Sequence, residues 1–290
     1  YVSMTWNAPF PAPQLATDAF PIPTITGTIS PQNLHGDGPA DMVIIVPSSG
    51  KLTAEAERLK AFHAQHDGLR VKIVTADALY NEFSSGTPDV NAYRRYLKML
   101  YDRATNPVDA PRYLLLFGDC LWDNRLRTTA TKQLQADDYL LCYESENSFN
   151  AIECYVSDTF LGLLDDGEGG ALQTHDIPDI GVGRFPVSTP EEARTMVDKT
   201  IRYAENADAG AWQNTLLFMG DDGNQNLHMD DANDVADAVA RQHPALDVKK
   251  VMWDAYKRQT STTGNSYPDV RKAIIEQQQR GALIMDYAGH

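Results

Sequence analysis

The sequence predicts an α/β fold, in which mostly parallel, doubly wound sheets carry helices on both faces. Three observations predict it. Short apolar runs such as MVIIV and LLLF alternate with longer amphipathic segments, as strands and helices do around a parallel sheet. The order strand, helix, strand begins again near Trp212. The last run, GALIMDYAGH, ends on a further strand, so we expect two subdomains, the second of them incomplete.

The first series runs from Asp41 to about Ala207. Its predicted strands are MVIIV, LRVKIV, RYLLLFGD and IGVGRF, each bounded by polar or turn residues. Its predicted helices are TAEAERLKAFHAQH, which ends at Gly68, a helix from Val90 to Ala104, and a helix from Pro190 to about Ala207.

The second series begins with the strand-and-loop segment NTLLFMGDDG. The helix HMDDANDVADAVARQ, the strand LDVKKVMW and the helix YPDVRKAIIEQQQ follow, before the terminal strand ALIMDY. That strand, from Ala282 to Tyr287, is apolar enough to predict a buried position. The predicted domains are residues 41–208 and 209–290. Residues 1–40, rich in Pro and Thr, predict an extended linker or the tail of a preceding β domain.

The chain has 290 residues and a formal net charge of -15. That acidity argues against nucleic acid and anionic membrane surfaces as partners, because both require clustered Lys and Arg. No apolar run approaches the roughly 20 residues that cross a bilayer. The cysteines Cys120, Cys142 and Cys154 are too few for a disulfide framework, although Cys142 and Cys154 could bridge in an oxidising compartment.

Ionisable side chains follow three predicted strands: Asp119 follows LLLFG, Asp221 and Asp222 follow LLFMG, and His290 follows the last strand. Ligands and catalytic groups gather at the carboxyl ends of strands in open α/β sheets. Position alone favours a capping role for the aspartates. An imidazole at His290 suits general-base chemistry near neutral pH, although a lone histidine is more often structural. We expect the chain to be a fragment whose site continues beyond His290.

The segments YLLLFGDCLWDNR, SDTFLGLLDD, DIGVGRFPVSTPEEARTMVDKTIRYAEN, LLFMGDDG and LIMDYAGH, in that order, resemble the gingipain family of cysteine peptidases. Within it, NEFSSGTPDVNAYRRYLKMLYDRA and NLHGDGPADMVIIV resemble the PorU-type branch, the surface sortases of the type IX secretion system in Bacteroidetes. The resemblance covers nearly the whole chain from about Gln32, and five ordered motifs are far more specific than a single YxGH.

The resemblance implies a caspase-like fold of two α/β subdomains, in agreement with the two series above. It implies that His290 is the catalytic base and Asp222 the acid that orients it, with Asp221 as the neighbouring candidate. Such a carboxylate fixes the tautomer of the imidazole and stabilises the imidazolium. Arginine-cleaving members have a substrate-pocket acid farther on; Asp230 and Asp231 are nearest, and Asp231 is our candidate. The chemistry requires no cofactor.

The nucleophile in this family is a cysteine at the end of the strand after the histidine, and no residue of this chain follows His290. Cys120 follows LLLFGD, but PorU-type members usually have glycine there, so we expect a tolerated substitution. Cys142 and Cys154 are expected to be structural. The chain as given is therefore predicted to be inactive.

The implied function is a cysteine endopeptidase, or sortase, that removes carboxy-terminal sorting signals from exported proteins through a Cys-His dyad. Its expected partners are proteins with such sorting domains and components of the secretion system. Its expected location is the outer-membrane surface or periplasm of a Gram-negative bacterium. The alternative is a catalytically inactive binding or assembly module of the same fold. A nucleotide-binding domain is disfavoured, because no strand precedes GxGxxG or GxxxxGKS/T.

Residues 163–170, LLDDGEGG, concentrate carboxylates and glycines in a predicted loop. Calcium prefers oxygen ligands on flexible loops, so a structural calcium ion is one interpretation. The spacing is not that of a helix-loop-helix site, and a solvated acidic turn is the other interpretation.

Overall fold

The computed structural model describes Ile29, Asn150, and residues 31–146, 154–170, 176–262 and 264–290. The chain divides into two compact units, Tyr1–Asp198 and Lys199–His290. Each unit contains its own parallel sheet. The division falls inside a helix, whereas the predicted boundary at residues 208 and 209 lies just after that helix.

The sheet of the first unit has four parallel strands in the order β2-β1-β3-β6. Two further strands in the described part of this unit, β4 and β5, form a short antiparallel pair. The bounds are β1 Met42–Val46, β2 Val71–Thr75, β3 Tyr113–Phe117, β4 Tyr143–Glu144, β5 Val156–Ser157 and β6 Gly181–Phe185. The four predicted strands of this unit are confirmed. β1 is buried along its whole length, because it lies inside the sheet between β2 and β3.

Helices cover both faces of this sheet. They are α1 Thr53–His66, α2 Ala76–Phe83, α3 Asn91–Arg103 and α4 Pro190–Ala204. Alternate residues of β1 face opposite sides, and Val43 and Ile45 share a core with the fully buried Tyr93, Tyr96 and Leu97 of α3. Helix α2 follows β2 without a loop, which is why the sequence pattern does not separate the two.

Helix α1 contacts β1 and β2, and its buried residues Ala56 and Leu59 do not belong to the core on the α3 side. It therefore covers the other face of the sheet. Arg58 of α1 pairs with Asp198 of α4 at 2.7 Å and donates to the carbonyl of Arg194. No helix in the part of the chain that the structure describes combines the length and the apolar character needed to cross a membrane.

Most of the predicted linker, residues 1–40, lies outside the described residues. Within the described part, Leu34–Gly36 forms a 3-10 turn rather than extended chain. The carboxylate of Glu82 in α2 holds this turn, because it accepts hydrogen bonds from the backbone N–H of Leu34 at 2.7 Å and of His35 at 3.0 Å. Leu34 is buried and joins the core of the first unit.

The second unit has a three-stranded parallel sheet in the order β11-β7-β8, and β9 and β10 form a separate antiparallel pair. The strands are β7 Thr215–Gly220, β8 Asp247–Met252, β9 Gln259–Ser261, β10 Gly264–Ser266 and β11 Ile284–Ala288. The helices are α5 Leu227–Gln242 and α6 Pro268–Arg280. The strands and helices predicted for this unit are confirmed, and the β9-β10 pair adds to them.

The central strand β7 is buried throughout and packs against a helix on each face. Leu216 and Phe218 pack with Ala236 of α5, while Leu217 packs with Val270 of α6. The doubly wound arrangement predicted from the sequence is thus confirmed in this unit as well. Both faces are covered because successive side chains of a strand point in opposite directions.

The prediction that the last strand is buried is wrong. β11 pairs with β7 alone, so among the described residues it is an edge strand. Ile284 is 53% exposed and Tyr287 is 43% exposed. Apolar composition predicts a strand here correctly, but it carries no information on whether the strand has one neighbour in the sheet or two.

Candidate active site

The carboxyl ends of β7 and β11 lie side by side, because the two strands are parallel neighbours with Ala288 opposite Gly220. Residues that follow the two strands therefore meet at one edge of the sheet. Asp221 follows β7, while Gly289 and His290 follow β11. The backbone N–H of Asp221 donates to the carbonyl of Ala288 at 3.3 Å, which extends the pairing past the strands.

Asp221 is the centre of this edge, and only 5% of it is exposed. Its Oδ1 accepts from the backbone N–H of Gly223 at 2.9 Å and from Nδ1 of His228 at 2.5 Å. Its Oδ2 accepts from the hydroxyl of Tyr287 at 2.7 Å and from the backbone N–H of His290 at 3.0 Å. Four donors satisfy the ionised form of a buried carboxylate.

These contacts determine which groups at the edge carry charge. Burial is the largest single influence on Asp221 and opposes ionisation, but the hydrogen bonds from His228, Tyr287 and two backbone N–H groups hold the pKa of Asp221 well below its usual range. Burial and then the bond to Asp221 raise the pKa of Tyr287 to about 12. At neutral pH Asp221 is an anion and Tyr287 is a neutral donor.

His228 lies in the first turn of α5, and its side chain is 12% exposed. Its other ring nitrogen, Nε2, lies 3.2 Å from Nδ2 of Asn224. Because the amide nitrogen is a donor, Nε2 accepts, and the ring proton is on Nδ1, facing Asp221. The same carboxylate–imidazole arrangement orients a catalytic histidine. The motifs do not single out His228; the only signal is its position in the helix that follows GDDG.

The ring of His290 packs against the ring of His228, with centroids 4.7 Å apart and planes inclined by 51°. Among the described residues, His290 contacts the carboxylate of Asp221 through its backbone N–H and not through its ring. The hydroxyl of Tyr287 also lies 3.1 Å from the carbonyl oxygen of His290, so its one proton is shared between that carbonyl and Asp221. Asp221 and Tyr287 therefore fix the backbone that carries His290. Tyr287, like His228, has no sequence motif that indicates its role.

Two glycines allow the chain to approach Asp221 this closely. A Cβ atom on Gly289 would collide with Oδ2 of Asp221 and with the hydroxyl of Tyr287. A Cβ atom on Gly223 would lie 2.8 Å from Oδ1 of Asp221 and 3.2 Å from the ring of His228. Any larger residue at either position would displace one of the donors to the carboxylate.

The turn between β7 and α5 is strained. Asn224, Gln225 and Asn226 have φ angles of 51°, 60° and 71°. The left-handed region costs a non-glycine residue roughly 1–2 kcal/mol, and asparagine tolerates it better than most. The turn places the side chain of Asn224 against His228, which is the kind of functional constraint with which such strain is associated.

Asp222, the predicted orienting acid, has different neighbours. Its Oδ2 accepts from the hydroxyl of Tyr267 at 2.5 Å and lies 4.0 Å from Nη1 of Arg258. The hydrogen bond to Asp222 raises the pKa of Tyr267. Asp222 also borders a cleft of about 460 Å³. The cleft is lined, among others, by Trp253, Tyr267, Val270, Ile274 and Ile275.

Asp231, the predicted pocket acid, is exposed on α5, as is Asp230. Neither is among the described residues that line the cleft beside Asp222. Asp119, at the strand end of the first unit, uses its Oδ1 to accept the backbone N–H of its own neighbour Cys120 at 2.8 Å. That is the local turn contact that position alone favours for an aspartate.

All three cysteines are free, and all belong to the first unit. The bridge considered between Cys142 and Cys154 does not form, since Cys142 is buried and Cys154 is exposed. Cys142 instead lies beside the segment of Cys120, with its Sγ 3.7 Å from the carbonyl of Leu121. The unit that carries His290 has no cysteine in its sequence.

The acidic loop at residues 163–170 is held by backbone contacts. Asp179 accepts from the N–H of Leu164 at 2.6 Å, and Glu168 accepts from the N–H of Asp165 at 3.2 Å. In the described ranges no three or more His, Cys, Asp or Glu side chains are grouped so as to hold a metal ion. Residues 171–175 lie outside the described residues, and the calcium ion stays a prediction.

One of the two units thus carries an ionised carboxylate, an oriented imidazole and a second imidazole at a strand end, which are groups of the kind that acid–base chemistry uses. The chain belongs to peptidase family C25, the gingipain family, whose model matches residues 35–290. The family membership predicted from the motifs is confirmed.

Among solved structures, the chain is similar to dimeric latent PorU from Porphyromonas gingivalis, with 42% sequence identity and a TM-score of 0.57. The match covers 64% of this chain and 18% of the PorU chain, so the matched part spans less than a fifth of the length of PorU. A second structure, described only as a protease, has 17% identity and a TM-score of 0.42 over 61% of this chain and 31% of its own. Among curated proteins, none matches the chain.

Proposed function

We propose that this chain is part of a cysteine endopeptidase that acts as a sortase and cleaves the carboxy-terminal sorting signals of exported proteins. His290 is the base of a Cys-His dyad, and the nucleophile is a cysteine outside these 290 residues. A thiolate attacks the peptide carbonyl, an acyl-enzyme forms, and water or an amine resolves it. On this proposal the 290-residue chain alone is inactive.

The observation that carries the proposal is the position of His290 in a chain of family C25. It follows β11 at the carboxyl edge of the sheet, its backbone is bonded to Asp221, and its ring packs against His228 at 4.7 Å. As the base, His290 accepts the proton of the attacking thiol, and the carboxylate of Asp221 lies at the same edge of the sheet. His228, held by the same carboxylate, positions the ring of His290.

The geometry supports Asp221 better than Asp222 as the acid that acts on the histidines. Asp221 bonds to His228 and to the backbone of His290, whereas Asp222 bonds to Tyr267. Asp222 at the edge of an apolar cleft is better placed to select a substrate side chain. Asp231 is exposed on α5, which makes it the weaker candidate for the substrate pocket.

The setting proposed for this activity rests on the likeness to PorU at 42% identity. The substrates are exported proteins with carboxy-terminal sorting domains, the partners are components of a secretion system, and the site of action is the outer-membrane surface or the periplasm. PorU in the matched structure is dimeric and latent, so we propose that this protein too has an inactive form.

The test uses the product of the complete gene, a thiol-directed active-site probe, and a peptide that spans a sorting-domain junction. We expect cleavage and labelling, and a loss of kcat by roughly a thousand-fold or more in His290→Ala, because members of a catalytic unit lose their effect together. Asp222→Asn should raise KM more than it lowers kcat, while Asp221→Asn should lower kcat.

Two results would count against the proposal. If His290→Ala cleaves as well as the wild type, another residue is the base, and His228→Ala then identifies whether it is His228. If the complete protein neither labels nor cleaves but binds the junction peptide, the chain belongs to an inactive binding or assembly module. Cleavage by the 290-residue chain alone would show that the nucleophile lies within it.

A further inference from the structure

A second group of reactive side chains lies at the carboxyl end of β3 in the first unit. Cys120 forms an isolated parallel bridge with Leu140, whose backbone N–H donates to the carbonyl of Asp119 at 2.9 Å. Cys142, on the same segment as Leu140, directs its Sγ toward the carbonyl of Leu121 at 3.7 Å. Alternate residues of an extended chain share a face, so Cys142 is brought to the side on which Cys120 lies.

Both cysteines are free, and two contacts place them side by side: the bridge from Cys120 to Leu140, and the 3.7 Å approach of Cys142 Sγ to the carbonyl of Leu121, the residue after Cys120. Cys142 is 3% exposed, whereas Cys120 is partly exposed. A reagent from solvent therefore meets Cys120 first, and Cys142 lies behind it.

Arg184 of β6 fixes both segments that carry the thiols. Its side chain is only 9% exposed and pairs with Asp158 at 2.7 Å. Its guanidinium also donates to the carbonyl of Gly118 at 2.9 Å and to the carbonyl of Leu141 at 3.2 Å. Because a guanidinium is planar and always charged, it holds this geometry and supplies a fixed positive charge beside the thiols.

The surroundings of Cys120 favour its thiolate, chiefly through a hydrogen bond. The hydrogen bond from Cys142 is the main cause that lowers the pKa of Cys120 to about 7. Burial acts to raise the pKa of Cys120, and the charge of Arg184 acts to lower it. The carboxylates of Asp158 and Asp119 act in the opposite direction.

Cys142 is the member of the pair that keeps its proton. The hydrogen bond to Cys120, burial and the charge of Glu144 all raise the pKa of Cys142. A partly exposed thiolate with a protonated thiol behind it has the division of roles required for thiol–disulfide exchange.

We propose that Cys120 and Cys142 form a redox-active thiol pair that small-molecule disulfides oxidise to an internal disulfide. The Cys120 thiolate attacks one sulfur of the reagent, the S–S bond of the reagent breaks, and one thiolate leaves. Cys142 then gives its proton to solvent and attacks Sγ of Cys120, which forms the internal bond and releases the second thiolate. Two protein thiols are oxidised, and one disulfide is reduced to two thiols.

This activity is independent of the proposed peptidase, because it uses neither His290 nor Asp221. The internal disulfide would tie the end of β3 to the segment that pairs with it at Leu140. The exposed Cys154 is a third free thiol that would react with the reagent independently, so the tests remove it.

The first test uses Cys154→Ser, which leaves only the pair, and oxidised glutathione as the reagent. We expect the loss of both free thiols, no retained glutathione, and a Cys120–Cys142 linkage in the peptide map. Cys142→Ala in the same background should retain one glutathione on Cys120. Cys120→Ser in that background should react at least ten-fold more slowly, since Cys142 is buried.

The second test measures the rate of reaction with an aromatic disulfide against pH, in Cys154→Ser. At pH 6 a thiol of pKa 7 has roughly thirty times more thiolate than one of pKa 8.5, and its lower nucleophilicity removes about a factor of five. We therefore expect a rate about six-fold above that of a cysteine peptide at pH 6, and about equal near pH 8.

Three outcomes would overturn the proposal. Glutathione that stays on the Cys154→Ser protein shows that Cys142 does not resolve the mixed disulfide. A rate that rises with pH in parallel with the peptide shows that Cys120 is an ordinary thiol. Equal reactivity of the two single-cysteine variants shows that the order of attack is wrong. Circular dichroism of each variant, compared with the wild type, separates these outcomes from loss of fold.

Discussion

The two units end a strand on nearly the same sequence, LLLFGD in β3 and LLFMGDD in β7, and yet the two strand ends are organised by opposite charges. In the first unit the buried cation Arg184 donates to the carbonyls of Gly118 and Leu141. In the second the buried anion Asp221 accepts from the backbone N–H groups of Gly223 and His290. Backbone groups at a buried strand end require partners, and a charge of either sign can supply them.

The two edges support different chemistry. Beside Arg184, and chiefly through the bond from Cys142, the pKa of the Cys120 thiol is lowered to about 7. Beside Asp221, burial and the carboxylate raise the pKa of the Tyr287 hydroxyl to about 12. The first edge therefore favours an anionic thiolate, and the second keeps the Tyr287 hydroxyl as a neutral donor.

Replacing the buried cation Arg184 should have the largest effect on stability. Arg184→Met should lower the free energy of unfolding by about 3 kcal/mol or more, because it leaves Asp158 without its partner and two carbonyls without donors. Arg184→Lys should lower the free energy of unfolding by less, since lysine keeps the positive charge but lacks the forked donors of the guanidinium. Urea denaturation followed by circular dichroism measures both.

Arg202 is the matched control for Arg184. It pairs with Asp208 at 2.6 Å, but its side chain is 60% exposed. Exposed pairs of this kind contribute about 0–1 kcal/mol, so Arg202→Met should be nearly neutral. If Arg184→Met and Arg202→Met lower the free energy of unfolding by similar amounts, then burial does not determine the contribution of Arg184 to stability.

Replacing the buried anion Asp221 should have the next largest effect on stability. Asp221→Ala leaves four donors without their acceptor and should cost about 2–3 kcal/mol, whereas Asp222→Ala should cost less than about 1 kcal/mol. The two aspartates are adjacent, so the comparison isolates their partners from their place in the sequence. If Asp222→Ala is the more destabilising variant, then Asp222 and not Asp221 organises this edge.

The contribution of Asp221 should depend on pH in a defined direction. Its folded pKa is depressed, so its stabilising effect is fully present above its unfolded pKa of about 3.9 and is lost as the pH falls further. The difference in unfolding free energy between the wild type and Asp221→Asn should be constant from pH 8 to pH 5 and should narrow below about pH 4. A difference that already narrows at pH 6 would mean that another group titrates.

The element order was predictable because buried parallel strands and amphipathic helices have distinct periodicities. The strands MVIIV, LLLF and LLFMG appear where the pattern places them. Helix α2, by contrast, begins at the residue after β2, so no turn residue separates the two patterns. The burial of β11 was mispredicted because position within a sheet depends on partners distant in sequence.

The site shows the same limit. The family motif predicted that His290 and an aspartate after β7 would share an edge, and the parallel pairing of β7 with β11 places them there. The motif did not distinguish Asp221 from Asp222. The two residues are adjacent in the sequence, and they differ only in that their side chains point to opposite sides and meet different partners. His228 lies in a helix and Tyr287 in a strand. The sequence patterns that predict this helix and this strand require no functional role for either residue.

The smallest expected effect compares two tyrosines, each of which donates to one of the adjacent carboxylates. Tyr287 donates to the buried Asp221 at 2.7 Å, and Tyr267 donates to the more exposed Asp222 at 2.5 Å. Removing a donor from a satisfied buried carboxylate costs about 1 kcal/mol, so Tyr287→Phe should be destabilising by that amount. Tyr267→Phe should cost less than half as much, because water can replace the lost donor at Asp222. Equal losses of stability would mean that the shorter bond at Asp222 compensates for its exposure.

The ultraviolet absorbance of phenolate supplies a second readout: Tyr287→Phe should remove a group that titrates near pH 12. The stabilising effect of that hydroxyl is present below its unfolded pKa of about 10 and is lost as the pH rises through 12, so the difference between the wild type and Tyr287→Phe should narrow only at alkaline pH.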